Sequence, residues 1–269
     1  MTIGIGIIRD TGIVVASDAQ GTSSSQKREV QKIFTFGGTG GAAMCITGAA
    51  SPGIYVKYAA KRIGAILPPL LDSGKDPLDG IERALADIYE KHIYPYKGPE
   101  DSRPCFDLLI AVRHPSTGLR LFETVATLAE EIQMPDYGCV GTGSDLAHYI
   151  MGTLGREDWT VEEAKYLAIC AVNAANDYDP NCGKGIALKV VRPDGTIEGM
   201  NVQAIANAKS YFTDLWDSIG TLLWGMNPYL DDSIVEDLLG TLRDSLLRFR
   251  KKQQSLIATL AKLPPTSHL

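Results

Sequence analysis

The chain has 269 residues, of which 45% are hydrophobic and 22% are charged, and its formal net charge is −6. This composition predicts a soluble globular protein with one large domain, or one domain and an appendage. The acidic balance argues against a nucleic-acid partner. No apolar run reaches the roughly 18 residues that a membrane span needs, so no membrane partner is expected.

The five cysteines are widely spaced and form no CxxC or Cys/His cluster, which argues against a zinc site or a disulfide framework. We therefore expect reduced thiols and neither a metal nor a cofactor. The apolar N-terminal stretch ends at Arg9-Asp10 and lacks a preceding basic region, so it does not fit a secretory signal peptide. These features together predict a cytoplasmic location.

The first fifty residues predict antiparallel β structure. Isoleucines alternate with small residues before a turn and a second apolar run, which is typical of a β-hairpin. The predicted elements are a hairpin over 3–17, a loop over 20–28, and strands over 30–36 and 42–47, the last ending at Gly48. The glycines of 37–41 are expected to form the turn between the last two strands.

The next 150 residues predict helices and strands in separate blocks. The elements are helices over 54–67 and 77–94, strands over 107–114 and 118–123 and up to 140, helices over 145–154 and 160–176, and a hairpin over 185–202. Pro68-Pro69 is expected to stop the first helix, and Thr160 with Glu163 forms a capping box. This order predicts an α+β fold, a four-layer αββα sandwich of two antiparallel sheets covered by helices.

Beyond residue 205 the pattern changes to long helices. An apolar and aromatic stripe runs over 209–226, and heptad-like apolar spacing over 231–262 is broken by Gln253. The long helix could pack on its own domain or between subunits. We expect a hydrolase domain over 1–205 and a C-terminal helical extension for assembly over 206–269.

Thr2 is the strongest candidate for chemistry. Once Met1 is removed, Thr2 offers a hydroxyl nucleophile and an α-amine whose pKa of about 8 makes it a usable base. Asp18 ends the second strand, and Lys32 is a lone charge beside Ile33 and Phe34. Each of these residues also has an ordinary structural explanation when it is taken singly.

Taken together, six segments resemble the proteasome β-subunit family of N-terminal-nucleophile hydrolases. They follow in the family's order and are Gly12–Asp18, Gln31–Phe34, Ile46–Gly48, Gly141–Ser144, Thr160–Ala164 and Asp179–Gly185. The resemblance covers about residues 2–202. The short segment before Thr2 and the C-terminal extension are most similar to bacterial proteasome homologues, the beta-proteobacterial type first and the Anbu type second.

The resemblance implies a role for each matching catalytic residue. Thr2 would be the nucleophile, and Lys32, paired with Asp18, would assist proton transfer from its hydroxyl. Gly48 would donate its backbone N–H to the oxyanion. Asp179 would orient the Thr2 region through hydrogen bonds.

Two departures accompany this match, because Thr142 and Cys182 stand where the family usually has serine. Cysteine is a weak donor and acceptor, so the network around the α-amine is expected to be looser. The resemblance also implies substrate-binding positions. Those for the substrate backbone are Thr22, Gly48 and Ala50, and those for the side chain before the cleaved bond are Gly21, Val30, Ile46 and Ala50.

The sequence thus predicts a threonine endopeptidase subunit of a self-compartmentalising proteasome-like ring. Its partners would be identical subunits in stacked rings and polypeptide substrates, and nothing in the sequence identifies an unfoldase ATPase. Two alternatives stay open. One is an inactive ring scaffold that retains Met1, and the other is an amidohydrolase that acts on small amides through the same threonine.

Overall fold

The computed structural model describes residues 2–23, 26–38, 41–225 and 231–260. Met1, part of the predicted turn over 37–41 and the predicted end of the long helix at 261–262 lie outside these ranges. The chain divides into two units, Met1–Met200 and Asn201–Leu269. No helix in the described ranges is both long and apolar enough to cross a membrane.

The strands of the first unit, in chain order, are β1 (Ile3–Arg9), β2 (Gly12–Asp18), β3 (Gln20–Ser23), β4 (Gln26–Glu29), β5 (Phe34–Gly37), β6 (Ala43–Ser51), β7 (Cys105–His114), β8 (Gly118–Val125), β9 (Leu128–Ile132), β10 (Tyr137–Gly141), β11 (Ile186–Val191) and β12 (Ile197–Gly199). Its helices are α1 (Ile54–Asp72), α2 (Pro77–Ile88), α3 (Ser144–Leu154) and α4 (Val161–Tyr178). Short helical turns follow α2 at Tyr89–Ile93 and Glu100–Ser102.

Two five-stranded sheets form the core of this unit. Sheet one has the order β10-β1-β2-β11-β12 and sheet two the order β5-β6-β7-β8-β9, and neighbouring strands are antiparallel. The sheets pack face to face, while α1 and α2 cover sheet two and α3 and α4 cover sheet one. The predicted αββα sandwich is therefore confirmed. Because β1 and β2 lie between a helix layer and a sheet, all their residues are buried.

The region between β2 and β6 differs from its prediction. The expected loop over 20–28 is a paired ribbon of β3 and β4, in which Thr22 lies opposite Lys27. Its polar sequence has no apolar alternation, so the pairing left no signal. The strand expected over 30–36 begins only at Phe34, and Lys32 therefore precedes the strand instead of lying in it. The strand expected to end at Gly48 continues to Ser51, because β7 pairs with it along its whole length.

The predictions downstream were mostly confirmed, with two exceptions. The capping box of Thr160 and Glu163 is formed, and α4 starts directly after it. Helix α1, however, passes through Pro68 and Pro69 and ends at Asp72, because the burial of Leu67 and Leu71 outweighs the local penalty of the prolines. The second exception is the strand β9 (Leu128–Ile132), which the sequence did not predict.

The second unit contains α5 (Val202–Gly225) and α6 (Asp232–Leu260). The two helices pack on each other, and the rings of Tyr211 and Phe249 stack with their centroids 4.0 Å apart. Leu239, Leu246 and Leu247 of α6 nevertheless stay exposed. The roles predicted for 1–205 and 206–269 stay predictions.

Candidate active site

Asp18 is the centre of the predicted site. It ends β2 with its side chain fully buried, and it accepts hydrogen bonds from four directions. The backbone N–H groups of Ile3 and Gly183 donate to it over 3.1 and 2.9 Å, and the hydroxyl of Thr2 donates to Oδ1. The Lys32 ammonium lies 2.6 Å from Oδ2. These donors replace the water that a buried carboxylate loses.

Lys32 joins the carboxylate to the threonine hydroxyl. Its Nζ donates to Thr2 Oγ1 over 2.6 Å as well as to Asp18, and only 12% of its side chain is exposed. Burial lowers the pKa of Lys32, and the negative charge of Asp18 opposes this effect only in part. Thr47, which the sequence analysis did not single out, donates its hydroxyl to the Lys32 carbonyl over 3.1 Å and so holds the backbone there. Lys32 therefore touches the Thr2 hydroxyl, and it releases its own proton more readily than an ordinary lysine.

The Gly141-Thr142 turn fixes the backbone of Thr2. The Thr142 N–H donates to the Thr2 carbonyl over 3.1 Å. Gly141 has a φ of +101°, and a Cβ atom there would lie 2.1 Å from the Thr2 carbonyl oxygen. Only glycine fits this position, which explains why a Gly-Thr-Gly turn follows β10.

Thr142, Asp179 and Cys182 form a second hydrogen-bonded group. The Cys182 thiol lies 3.6 Å from Asp179 Oδ2, and the Thr142 side chain bonds to both residues. Burial raises the pKa of Asp179, but the hydrogen bonds from Asn181, Thr142 and Cys182 outweigh it and lower the pKa overall. Among the described residues, Asp179 is linked to Thr2 through Thr142, whose side chain bonds to Asp179 and whose backbone N–H bonds to Thr2.

Cys182 is suited to donating a hydrogen bond and not to attacking a substrate. Burial, helped by the charges of Asp179 and Asp18, raises the pKa of this thiol to about 12. A thiol with such a pKa stays protonated at neutral pH, whereas a nucleophilic cysteine needs its thiolate. Cys182 thus stands at the family's serine position as a weaker donor.

A first cavity of about 410 Å³ opens beside Thr2. It is lined by Thr2, Val30, Gln31, Lys32, Phe34, Gly48, Ala50, Gly53, Ile54, Val56 and Lys57. The predicted Val30, Gly48 and Ala50 are thus brought to the nucleophile. Ile46 is fully buried in the core cluster that includes Phe34 and Val56, and Gly21 and Thr22 lie in β3.

A second cavity of about 510 Å³ opens on Thr2 as well, and the sequence analysis missed it. It is lined by Thr2, Ala49, Ala50, Ser51, Cys105, Phe106, Asp107, Glu123, Thr124, Val125, Cys139, Val140, Gly141, Thr142 and Ser144. The available signal was the placement of Asp107 and Glu123 directly beside the apolar runs of two strands, since carboxylates are rarely buried.

Comparison with curated proteins shows that the chain is similar to proteasome β subunits. The chain is 46% identical to proteasome subunit beta 2 of Pyrobaculum aerophilum over a segment of 63 residues. This segment covers 23% of this chain and 31% of that subunit. Over 200 residues it is 29% identical to proteasome subunit beta 1 of Korarchaeum cryptofilum, covering 72% of this chain and 89% of the relative. The resemblance to the proteasome β-subunit family is confirmed. The chain spans about a third of the length of the Pyrobaculum relative, and no family model matches it.

Solved structures agree with this family at the level of the fold. Anbu (ancestral beta-subunit) from Yersinia bercovieri has a TM-score of 0.65 and 13% identity, covering 85% of this chain and 99% of that one. The helical assembly of the Anbu complex from Pseudomonas aeruginosa gives a TM-score of 0.67 and 13% identity. The match covers 86% of this chain and 99% of the Anbu chain. Anbu is one of the two bacterial types that the sequence suggested. The preference for the beta-proteobacterial type stays a prediction.

Proposed function

We propose that this chain is a threonine endopeptidase subunit of a proteasome-like assembly, which cleaves polypeptides with Thr2 after Met1 has been removed. The observation that carries the proposal is the placement of the Thr2 hydroxyl. It contacts both Lys32 and the buried Asp18, and it lies where two cavities open. A threonine that served only the strand would not need a buried cation on its hydroxyl.

The first chemical step forms a tetrahedral intermediate. Thr2 Oγ1 attacks the peptide carbonyl while its proton passes to the free α-amine of the same residue. The ammonium of Lys32, held by Asp18, stabilises the developing alkoxide and lowers the pKa of the α-amine, so that the amine is neutral and basic. The negative charge on the carbonyl oxygen is received by the Gly48 backbone N–H.

The second step releases both products. The C–N bond breaks as the α-ammonium returns its proton to the leaving amine, and an acyl ester stays on Thr2. Water, deprotonated by the same α-amine, then attacks this ester, and the hydroxyl of Thr2 recovers the proton. In both steps the Thr142 N–H would hold the Thr2 carbonyl, and Asp179 and Cys182 would hold the Thr142 side chain.

The substrate would bind as an extended strand. Its backbone would pair with the backbone at Thr22, Gly48 and Ala50, in the manner of β-strand addition. The side chain before the cleaved bond would enter the first cavity, where Val30 and Ala50 provide apolar walls. We therefore expect apolar residues to be preferred at that position.

The assembly would consist of identical subunits in stacked rings in the cytoplasm. The exposed leucines of α6, Leu239 and Leu246, are seven residues apart and so lie on one stripe of the helix. We infer that this stripe of the C-terminal extension contacts another subunit. Substituting both by serine should reduce the particle size in analytical ultracentrifugation, and an unchanged size would contradict the role.

The peptidase is tested with fluorogenic peptides and intact-mass measurement. The purified chain should lack Met1 and cleave peptides, and Thr2→Ala should lower the rate by about 10³-fold or more, as expected for loss of a nucleophile. Thr2→Ser, which keeps a hydroxyl, should retain part of the activity. A covalent inhibitor directed at N-terminal threonine should map to Thr2. A retained Met1 would favour the scaffold alternative, and cleavage of small amides alone would favour the amidohydrolase.

A further inference from the structure

The second cavity shares a wall with the first. Thr2 and Ala50 line both of them. A peptide whose carbonyl lies on Thr2 therefore passes the openings of both cavities. Under the proposed function, each cavity can receive a different side chain of the same substrate.

Two carboxylates enter the second cavity from sheet two. Asp107 lies in β7, and Glu123 lies in β8 opposite Leu109. Because side chains alternate along a strand, Asp107 and Leu109 share a face, and Glu123 projects from that same face. Gly138 in β10 of sheet one makes room for this arrangement, since a Cβ atom there would lie 2.6 Å from Glu123 Oε2.

Neither carboxylate is neutralised by another residue in the part of the chain that the structure describes. Both are half-buried, and neither has a hydrogen bond or an ion pair within the described ranges. Burial raises the pKa of Asp107, and burial together with the charges of Asp107 and Glu130 raises that of Glu123. A partly desolvated carboxylate without a donor is unfavourable, and a cation brought by a ligand relieves this cost.

The surroundings fit an organic cation better than a metal ion. The described part of the chain contains no group of three His, Cys, Asp or Glu side chains that could hold a metal. The cavity lining also includes Ala50 and the exposed Val125, whose apolar surfaces suit the methylene stem of a lysine or arginine. Its volume of about 510 Å³ leaves room for such a side chain.

We propose that the second cavity is a specificity subsite for a basic side chain of the substrate, with Asp107 and Glu123 as its anionic ligands. It deepens the proposed function and rests on it. The first cavity, with the apolar walls Val30 and Ala50, would receive a different side chain of the same substrate. The expected substrates thus combine an apolar residue in one cavity with a lysine or arginine in the other.

Binding without cleavage tests this subsite. Thr2→Ala prevents turnover, and acetylated peptide amides are compared in pairs that carry lysine or its neutral analogue norleucine at each position in turn. At one position the lysine peptide should bind about tenfold more tightly, as for a partly desolvated charge pair. Adding Asp107→Asn and Glu123→Gln should reduce that preference to about one, whereas Glu90→Gln, an exposed acid outside the cavity, should leave it unchanged.

The proposal is overturned if no position favours lysine, or if the preference survives in the doubly substituted protein. Thermal melting of each variant checks that it is folded, and the two single substitutions replace the double one if that protein does not fold. Since binding is measured on a protein without its nucleophile, the result is independent of catalysis. A chain that prefers lysine peptides but never cleaves them would contradict the peptidase and keep the subsite.

Discussion

The two cavities beside Thr2 contain charges of opposite sign, and these charges differ in how they are paired. In the first cavity the Lys32 ammonium lies 2.6 Å from Asp18, which accepts three further hydrogen bonds. In the second, within the described residues, Asp107 and Glu123 have no donor. Removing one partner of a buried charge pair leaves the other charge uncompensated, whereas neutralising a buried charge that has no partner removes an unfavourable charge. Neutralising substitutions should therefore have opposite effects on the two sides.

The largest effect is expected for Asp18→Asn. It leaves the Lys32 ammonium buried without its counter-charge, which typically lowers the free energy of unfolding by about 3–5 kcal/mol. Peptide cleavage should be lost as well, because Lys32 is no longer held at Thr2. Calorimetry and a fluorogenic assay measure both effects. Asp10→Asn, in the exposed turn after β1, is the matched control and should change stability by less than about 0.5 kcal/mol.

A change in the opposite direction, an increase in the free energy of unfolding, is expected when Asp107→Asn and Glu123→Gln are combined. Removing two half-buried carboxylates that repel each other should raise the free energy of unfolding by about 1 kcal/mol, which corresponds to about 3 °C in Tm for a unit of this size. Differential scanning calorimetry at neutral pH measures the shift. A lower Tm would mean that these carboxylates are already paired and would contradict the comparison.

The stability difference between the double variant and the native protein should depend on pH. Both pKa values are raised above their ordinary values of 3.8 and 4.5, so the unfolded chain loses these protons at a lower pH than the folded one. The native protein is thus destabilised as the pH rises through the ordinary values, and fully so above the raised ones. The advantage of the double variant should be small near pH 3 and grow toward neutral pH. An advantage that is largest in acid would contradict this assignment.

The smallest effect is expected for Lys57→Gln at the first cavity. Lys57 is exposed, so its charge is screened by water and should change kcat/KM for substrates with an apolar side chain before the cleaved bond by less than about threefold. A peptide library that varies this residue measures the preference. If a dominant acidic preference appears and disappears with Lys57→Gln, the apolar walls do not determine selection.

Thr2 and its closest partners could be predicted from the sequence, but their full environment could not. Thr2, Asp18 and Lys32 are side chains in a recognisable order and spacing, and the structure brings them together. The backbone N–H groups of Ile3 and Gly183 also donate to Asp18. Almost any residue can provide such a backbone donor, so the sequence does not reveal it. Such contacts emerge only from the pairing of strands.

Other features depended on packing that no local pattern records. The sandwich followed from the order of apolar blocks, whereas the β3–β4 ribbon has no apolar face to detect. Pro68 and Pro69 lie inside α1 because the burial of neighbouring leucines outweighs the tendency of proline to end a helix. Asp107 and Glu123 could be recognised in the sequence as carboxylates next to apolar runs of predicted strands. Their shared cavity, however, depends on the space that sheet one leaves beside them.

The bond from the Gly183 N–H to Asp18 spans 165 positions of the chain. A polypeptide still emerging from the ribosome lacks this donor until almost 70% of its 269 residues have been made. The carboxylate that holds Lys32 on Thr2 is therefore completed late in synthesis. An unfinished chain therefore lacks the full set of hydrogen bonds that surrounds Asp18 and, through it, Thr2.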